Sequence, residues 1–267
     1  GHKVLLVEKE DRLGGQLHLA GAPPGRREFI GLAQDLVNQL AMKPVAVILN
    51  RTVDAEWIDN EKPDAVILAT GAVPINPPIP GTDLPHVCQA WEVLLNQVAT
   101  GRRVVVVGGG AVGVETAMFL AKKGTLSAEA VQFLLVNRAE DPEFIYDLAV
   151  HGTKQVALIE MIDVIGKDIG RSTRWGMLQE FKRMGVQSRT ATKALEITQT
   201  GLRVEKDNTV EEIPADTVVL AIGARPYDPL SEILEKKGIP YQVIGDAQKI
   251  GRAFEAIHQG YDAGRNI

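Results

Sequence analysis

The stretch Val104-Val-Val-Val-Gly108-Gly-Gly110-Ala-Val-Gly113-Val-Glu115 decides the fold. Four consecutive valines are typical of a buried parallel strand, and the residues after Gly113 have the composition of a helix. The glycines between them form the pattern G-x-G-x-x-G: Gly108 allows a tight turn, Gly110 lets the backbone approach a pyrophosphate, and Gly113 allows the helix to pack closely on the strand. Because the helix then presents free amides at its N-terminus, this stretch predicts a dinucleotide-binding site.

The residue that holds the ribose of such a dinucleotide is expected at the end of the next strand. Residues 155–159 are predicted to form that strand, and Glu160 follows it. Glu160 lies 47 residues after Gly113, whereas the usual separation is about 20; a helical insertion at 127–152 accounts for the excess. A carboxylate accepts hydrogen bonds from both ribose hydroxyls and repels a 2′-phosphate, so NADH is favoured over NADPH. The alternative is a surface acid at a strand end.

The opening of the chain has the pattern of a second nucleotide site. Residues 3–7 read as a strand that ends at the acidic Glu8, and Gly14 and Gly15 follow in a turn that would pass close to a bound flavin nucleotide. A first strand with its own glycine turn and helix needs about 25 further residues before Gly1. We therefore expect this chain to be a fragment cut just after that helix.

Three strand-to-glycine junctions support a protein with two nucleotide sites. Two of them, at 65–71 and 217–223, end in Gly71 and Gly223, and each is followed closely by proline. The third, at 243–247, precedes a predicted helix and contains Asp246. A carboxylate at such a junction can point at a ribityl hydroxyl of a flavin, while the helix N-terminus faces the phosphates or the flavin ring.

The chain as a whole alternates β-branched runs with amphipathic helices, which predicts an α/β fold with parallel sheets. The proline-rich stretch 74–85 and the segment 224–226 are interpreted as crossings between domains. We expect two Rossmann-like domains, one inserted in the other: an FAD-binding domain at 1–96 plus 226–267, and an NAD-binding domain at 97–225. A small antiparallel meander is predicted between residues 194 and 213.

Composition excludes several classes of function. The chain has 34 acidic and 29 basic residues without a basic run, which argues against nucleic acid as a partner. No apolar run is long enough to span a membrane and no signal peptide is recognisable, so a cytoplasmic location is expected. Cys88 is the only cysteine and the five histidines show no ligand spacing, so neither thiol nor metal chemistry is expected from these residues.

Together the motifs resemble the FAD/NAD(P)-binding two-domain flavoproteins, and more narrowly the C-terminal half of the 2-enoate reductase and 2,4-dienoyl-CoA reductase group. The resemblance covers essentially the whole chain and is carried by five phrases, at residues 8–17, 68–71, 109–121, 166–175 and 244–247. Enzymes of this group carry an Old Yellow Enzyme-like barrel with FMN and a [4Fe–4S] cluster, in addition to the half that binds FAD and NADH. The resemblance implies that the barrel, FMN and cluster belong to a part of the parent protein outside this chain.

The resemblance also implies the residues that contact each cofactor. Those expected to contact FAD are Glu8, Arg12, Gly14, Gly15, Gln16, Val53, Thr70, Gly71, Gly245 and Asp246. Those expected to serve NADH are Gly108, Gly110, Gly113, Glu115, Glu160 and Gly223. Because the flavin performs the chemistry, no side chain is expected to act as a catalytic acid or base.

The function that follows is the NADH-oxidising, FAD-containing electron-input module of a larger reductase of enoates or dienoyl-CoA esters. Two alternatives stay open. One is a non-catalytic domain that holds a nucleotide, as ADP is held in trimethylamine dehydrogenase. The other is a stand-alone NADH-dependent reductase of the ferredoxin type.

Overall fold

The computed structural model describes all 267 residues, in 14 strands and ten α-helices. In chain order the strands are β1 Val4–Val7, β2 Val45–Ile48, β3 Val66–Leu68, β4 Ala72–Pro74, β5 Val87–Gln89, β6 Arg103–Val107, β7 Gln155–Ile159, β8 Gln187–Arg189, β9 Lys193–Ile197, β10 Gly201–Lys206, β11 Thr209–Pro214, β12 Thr217–Leu220, β13 Ala224–Pro226 and β14 Tyr241–Val243. The helices are α1 Gln16–Ala20, α2 Glu28–Ala41, α3 Ala55–Glu61, α4 Ala90–Leu94, α5 Ala111–Ala121, α6 Ala128–Val136, α7 Pro142–Val150, α8 Arg171–Arg183, α9 Ser231–Lys237 and α10 Ala253–Asn266. None of these helices is long and apolar enough to cross a membrane.

The chain divides into two compact units. The first unit comprises residues 1–21, 26–75 and 224–267, and the second comprises 22–25 and 76–223. This division differs from the expected boundary at residues 76–96, because β5 lies in that segment and pairs in parallel with β12 of the second unit. The proline-rich stretch is thus the crossing itself, and the chain enters the sheet of the second unit directly after it.

The second unit contains a five-stranded parallel sheet in the order β5-β12-β6-β7-β8. Strand β6 lies in the middle, and Val104–Val107 are at most 6% exposed. This burial explains the uninterrupted valines, since a strand covered on both faces needs no polar alternation. Helix α5 packs on the sheet, and its Ala117 and Leu120 are fully buried.

A separate antiparallel sheet in the order β11-β10-β9 forms the predicted meander. The α/β class with Rossmann-like parallel strands and an antiparallel addition is therefore confirmed. The helical insertion is also confirmed: Ser127 caps α6 by accepting a hydrogen bond from the Ala130 amide at 3.2 Å. Asp141 caps α7 by accepting from the Glu143 amide at 2.9 Å, and Pro142 stands in the first turn.

The first unit is built from smaller pieces. Strands β1 and β2 form one two-stranded parallel sheet, and β3 and β14 form another. Strands β4 and β13 pair in an antiparallel ribbon. The hydrophobic core cluster of the first unit contains four buried side chains: Ile58, Leu68, Leu230 and Leu234.

Candidate functional site

The turn after β6 has the geometry that its glycines predict. Gly108 has φ of 109°, and its amide donates to the carbonyl of Ile159 at 2.9 Å. A Cβ at Gly108 would lie 2.4 Å from the Ala221 carbonyl oxygen, and a Cβ at Gly113 would lie 1.8 Å from that of Gly108. No side chain fits at either position, so the turn brings strand and helix into backbone contact.

Helix α5 begins at the end of this turn, with Gly110 as its N-cap. The first amides of a helix have no intrahelical acceptor and carry partial positive charge. One of them, the Ala111 amide, donates to the Asp168 carboxylate, at 2.8 Å to Oδ1 and 3.1 Å to Oδ2. Asp168 is a residue of this site that the motifs did not predict, because the stretch around Lys167 reads as a solvated loop.

Glu160 lies at the end of β7, beside the glycine turn. Its Oε2 accepts a hydrogen bond from the Gly109 amide at 2.6 Å, and its Oε1 accepts from the Ile162 amide at 2.9 Å. A cleft of about 410 Å³ opens here, and its lining includes Gly109, Gly110, Glu160, Lys167 and Asp168. The structure thus brings the predicted ribose acid to the predicted pyrophosphate turn.

The other two residues expected to serve NADH, Gly223 and Glu115, do not line the cleft beside Glu160. Gly223 follows β12, is exposed and has φ of 103°. Because β12 and β6 pair in parallel, Gly223 leaves the sheet at the same edge as the glycine turn. Glu115 is on α5 and only 8% exposed, so its carboxylate lies among the packing groups of the helix.

In the first unit, three of the residues expected to contact FAD come together. The Gln16 side-chain amide donates to Asp246 Oδ2 at 3.0 Å, and a Cβ at Gly71 would lie 3.4 Å from the same Gln16 nitrogen. The Gly245 amide donates to the Gln259 side chain at 2.6 Å, which fixes the backbone before Asp246. Segments that are 230 residues apart in the chain therefore converge on Gln16 and Asp246.

The glycine pair before α1 is favoured by its backbone conformation and, at Gly14, also by packing. Gly14 and Gly15 have φ of 117° and 47°. A Cβ at Gly14 would lie 2.7 Å from the Nε2 of His18 and 3.1 Å from the Cβ of Ala33. The backbone thus passes close to α2 at Gly14, and its approach to a flavin nucleotide stays a prediction.

Two of the four remaining residues expected to contact FAD make hydrogen bonds within the first unit. Glu8 accepts a hydrogen bond from the Glu10 amide at 2.9 Å, and the Thr70 hydroxyl donates to the Tyr227 carbonyl. Val53 packs against the core cluster of the first unit, and Arg12 is exposed. Contact of these four residues with FAD stays a prediction.

The single cysteine is not disposed for redox chemistry. Cys88 lies on β5, and burial, together with the nearby Glu92 carboxylate, raises the pKa of its thiol to about 11. A thiol with such a pKa is almost wholly protonated at neutral pH, and the thiolate is the reactive form. A dithiol pair within these 267 residues is excluded by the cysteine count.

Two α/β units, one with a complete strand–glycine turn–helix motif, define a flavoprotein of the two-nucleotide class. The family model of the pyridine nucleotide-disulphide oxidoreductases matches residues 1–248, and the chain belongs to this family. Proteins of this family bind FAD and NAD(P)H. The chain is therefore an NAD(P)H-dependent flavin oxidoreductase module.

Several relatives match nearly the whole chain. A metal reductase of Desulforamulus reducens is 43% identical over 98% of this chain, and a bilirubin reductase of Mediterraneibacter gnavus is 36% identical over 98%. A cinnamate reductase of Clostridium sporogenes is 28% identical over 100%. Among solved structures, a 2-naphthoyl-CoA reductase complex covers 100% of the chain with a TM-score of 0.84 and 26% identity.

The chain is shorter than each of these proteins. It spans 40% of the metal reductase, 36% of the bilirubin reductase, 36% of the cinnamate reductase and 36% of the naphthoyl-CoA reductase chain. The resemblance to the 2-enoate reductase group is confirmed at the level of this module.

Proposed function

We propose that the second unit binds NADH, with the pyrophosphate against the glycine turn and a ribose on Glu160. The observation that carries this proposal is the 2.6 Å hydrogen bond from the Gly109 amide to Glu160, which holds the carboxylate beside the glycine turn in the lining of the cleft. Each carboxylate oxygen can accept more than one hydrogen bond. Glu160 can therefore support the turn and accept from ribose hydroxyls at the same time.

Glu160 is also the basis for preferring NADH over NADPH. A 2′-phosphate next to this carboxylate would place two anions close together, and their repulsion weakens binding. Lys167 lines the same cleft, in the segment that leads to α8. The preference for NADH is argued from Glu160, because Glu160 is the residue at the end of the strand next to the glycine turn. Because NADH is an electron donor of the cytoplasm, we place the reaction there.

For the first unit we propose FAD as the ligand, held around Gln16, Gly71 and Asp246. Asp246 accepts hydrogen bonds from Gln16 and, through Oδ1, from the Gly251 amide at 2.9 Å, so the carboxylate is oriented before any ligand arrives. The absence of a side chain at Gly71 keeps this cluster open on one side. FAD held there would supply hydride acceptance and electron transfer in one- or two-electron steps, and the role proposed for the residues of this chain is to bind and orient the cofactors.

We propose that the acceptor of the electrons belongs to the rest of the parent protein. We propose that the larger protein reduces enoates or dienoyl-CoA esters, and the names of the cinnamate and naphthoyl-CoA reductases support unsaturated acids and CoA thioesters as the substrate class. The metal reductase, at 43% identity, supports a second candidate, in which the same input module feeds a metal ion as the terminal acceptor. Both candidates use the same NADH and FAD sites.

The test is a cofactor switch at Glu160. Glu160→Arg should weaken NADH binding about tenfold or more and strengthen NADPH binding, because repulsion of the 2′-phosphate becomes attraction. Dissociation constants for both nucleotides, measured by fluorescence titration, give the ratio. An unchanged ratio would show that Glu160 does not read the ribose.

Two further measurements complete this test. Glu160→Gln keeps an acceptor for the Gly109 amide but removes the charge. It should therefore reduce the preference for NADH over NADPH without opening the turn. Glu140→Gln, on an exposed residue between α6 and α7, is the charge-matched control and should leave the ratio unchanged. With FAD supplied in excess, the protein should show flavin absorbance that NADH bleaches, whereas bound ADP and a flavin spectrum that NADH leaves unchanged would favour a domain that only holds a nucleotide.

A further inference from the structure

The segment between β7 and α8 packs directly on the glycine turn of the second unit. The Gly166 amide donates to the Gly109 carbonyl at 2.6 Å, and Ile165 is 9% exposed. A Cβ at Gly109 would lie 2.9 Å from Cγ2 of Ile165. The segment 162–170 therefore forms a cover over the turn that is expected to receive the pyrophosphate.

Within this segment, the side chain of Asp168 lies at the N-terminus of helix α5. Both of its carboxylate oxygens lie within hydrogen-bond distance of the Ala111 amide. Its Oδ2 would lie 3.4 Å from a Cβ at Gly110, so the missing side chain there makes room for the carboxylate. A carboxylate at this place satisfies a free helix amide and interacts favourably with the helix dipole.

A dinucleotide phosphate needs the same place. If the proposed function is correct, the pyrophosphate is anionic and binds to the amides of the glycine turn and the first turn of α5. The Ala111 amide has one hydrogen to donate, and two anions at one helix end repel each other. The position of Asp168 and the position of the phosphate therefore exclude each other.

We propose that Asp168 is an internal substitute for the dinucleotide phosphate: it caps α5 in the free protein and is displaced when the dinucleotide binds. Gly170, two residues after Asp168, has open space around the position of a Cβ. Asp168 is exposed, so its carboxylate can move into water without crossing a packed region. Because a dinucleotide must first displace this carboxylate, the second unit binds dinucleotides more weakly than it would without Asp168.

The experiment measures binding of ADP-ribose to the 267-residue protein by isothermal titration calorimetry. Asp168→Ala should bind ADP-ribose about fivefold more tightly or better than the unmodified protein, because no cap and no charge must be displaced. Asp168→Asn keeps an acceptor and loses the charge, so it should bind about two- to threefold more tightly. Binding of adenosine, which has no phosphate, should be the same in all variants.

The control variant is Asp163→Asn, which removes one negative charge from the same exposed segment. It should leave ADP-ribose affinity within about twofold, since an exposed charge that makes no contact at the turn is largely screened. Equal tightening in this variant would assign the effect to net charge and overturn the role of Asp168.

The outcomes separate this inference from the function on which it rests. If the unmodified protein binds ADP-ribose and Asp168→Ala binds it equally or more weakly, Asp168 does not compete with phosphate and only this inference fails. If neither the unmodified protein nor any variant binds ADP-ribose, the proposed dinucleotide site is wrong, and the proposed competition by Asp168 is wrong as well. Should Asp168→Ala not fold, as judged by circular dichroism, the Asn variant decides, because it retains the cap.

Discussion

The two units show what a central strand contributes to a nucleotide-binding fold. In the second unit, β6 lies between β12 and β7, and its valines are almost completely buried. In the first unit, β1 and β3 each pair with one neighbour only, and Val4, Leu6 and Ile67 are 45%, 38% and 36% exposed. The central strand thus covers its neighbours and also delivers the glycine turn to the ligand. The first unit has the acids and glycines of a nucleotide site, but its parallel strands form two separate pairs without a central strand.

The largest expected effect comes from supplying that strand. Adding a strand–glycine turn–helix segment of about 25 residues before Gly1 should raise FAD affinity on the order of 100-fold, because charged phosphates gain several backbone hydrogen bonds. FAD binding is measured by flavin fluorescence quenching. NADH affinity of the second unit should not change. If the 267-residue chain already binds FAD equally well, the first unit needs no further strand.

An intermediate effect is expected from damaging the complete motif. Gly113→Ala places a Cβ 1.8 Å from the Gly108 carbonyl oxygen, so the turn must open. NADH affinity should fall about tenfold or more and the free energy of unfolding by about 1–3 kcal/mol. Gly176→Ala on α8, where a Cβ has open space, is the matched control and should be neutral or stabilising. Urea denaturation and NADH titration check both; normal NADH binding by Gly113→Ala would contradict the role of the turn.

The smallest effect concerns acid stability of the second unit. Hydrogen bonds from the Arg103 side chain and backbone lower the pKa of Asp216 to about 2. Between pH 4 and 2 the unfolded chain, with an ordinary aspartate pKa, binds a proton that the folded protein does not, so stability falls as the pH falls. Asp216→Asn should flatten this part of the pH dependence in urea midpoints, whereas Asp163→Asn should not. Equal slopes in Asp216→Asn and the unmodified protein would exclude this contribution.

Local patterns predicted the parts of the fold that local forces determine. The strand, turn and helix at residues 104–115 follow from consecutive valines and three glycines, and the caps at Ser127 and Asp141 follow from side chains that bond to amides two or three residues away. The strand at residues 87–89 was not predicted. It consists of three residues, and its pairing with β12 bridges about 130 positions that no local pattern connects.

In the candidate site, too, some residues could be predicted from local patterns and others could not. Glu160 was predictable because an acid at the end of the second strand has a fixed place relative to a glycine turn. Asp168 was not, because its partner Ala111 lies 57 residues earlier and nothing near Asp168 indicates that it caps a distant helix. The resemblance assigned Gln16 and Asp246 to the same cofactor, but their hydrogen bond was not predicted, since 230 residues separate them.

The ribbon of β4 and β13 has a consequence for how such proteins are assembled. Ala224 is the direct partner of Pro74, so the outgoing and returning strands leave the host side by side. A module whose two ends are neighbours can be excised or exchanged with little rearrangement of the chain around it. A short linker between residues 74 and 224 would then close the first unit, and residues 76–223 would carry the proposed NADH site with them into another protein.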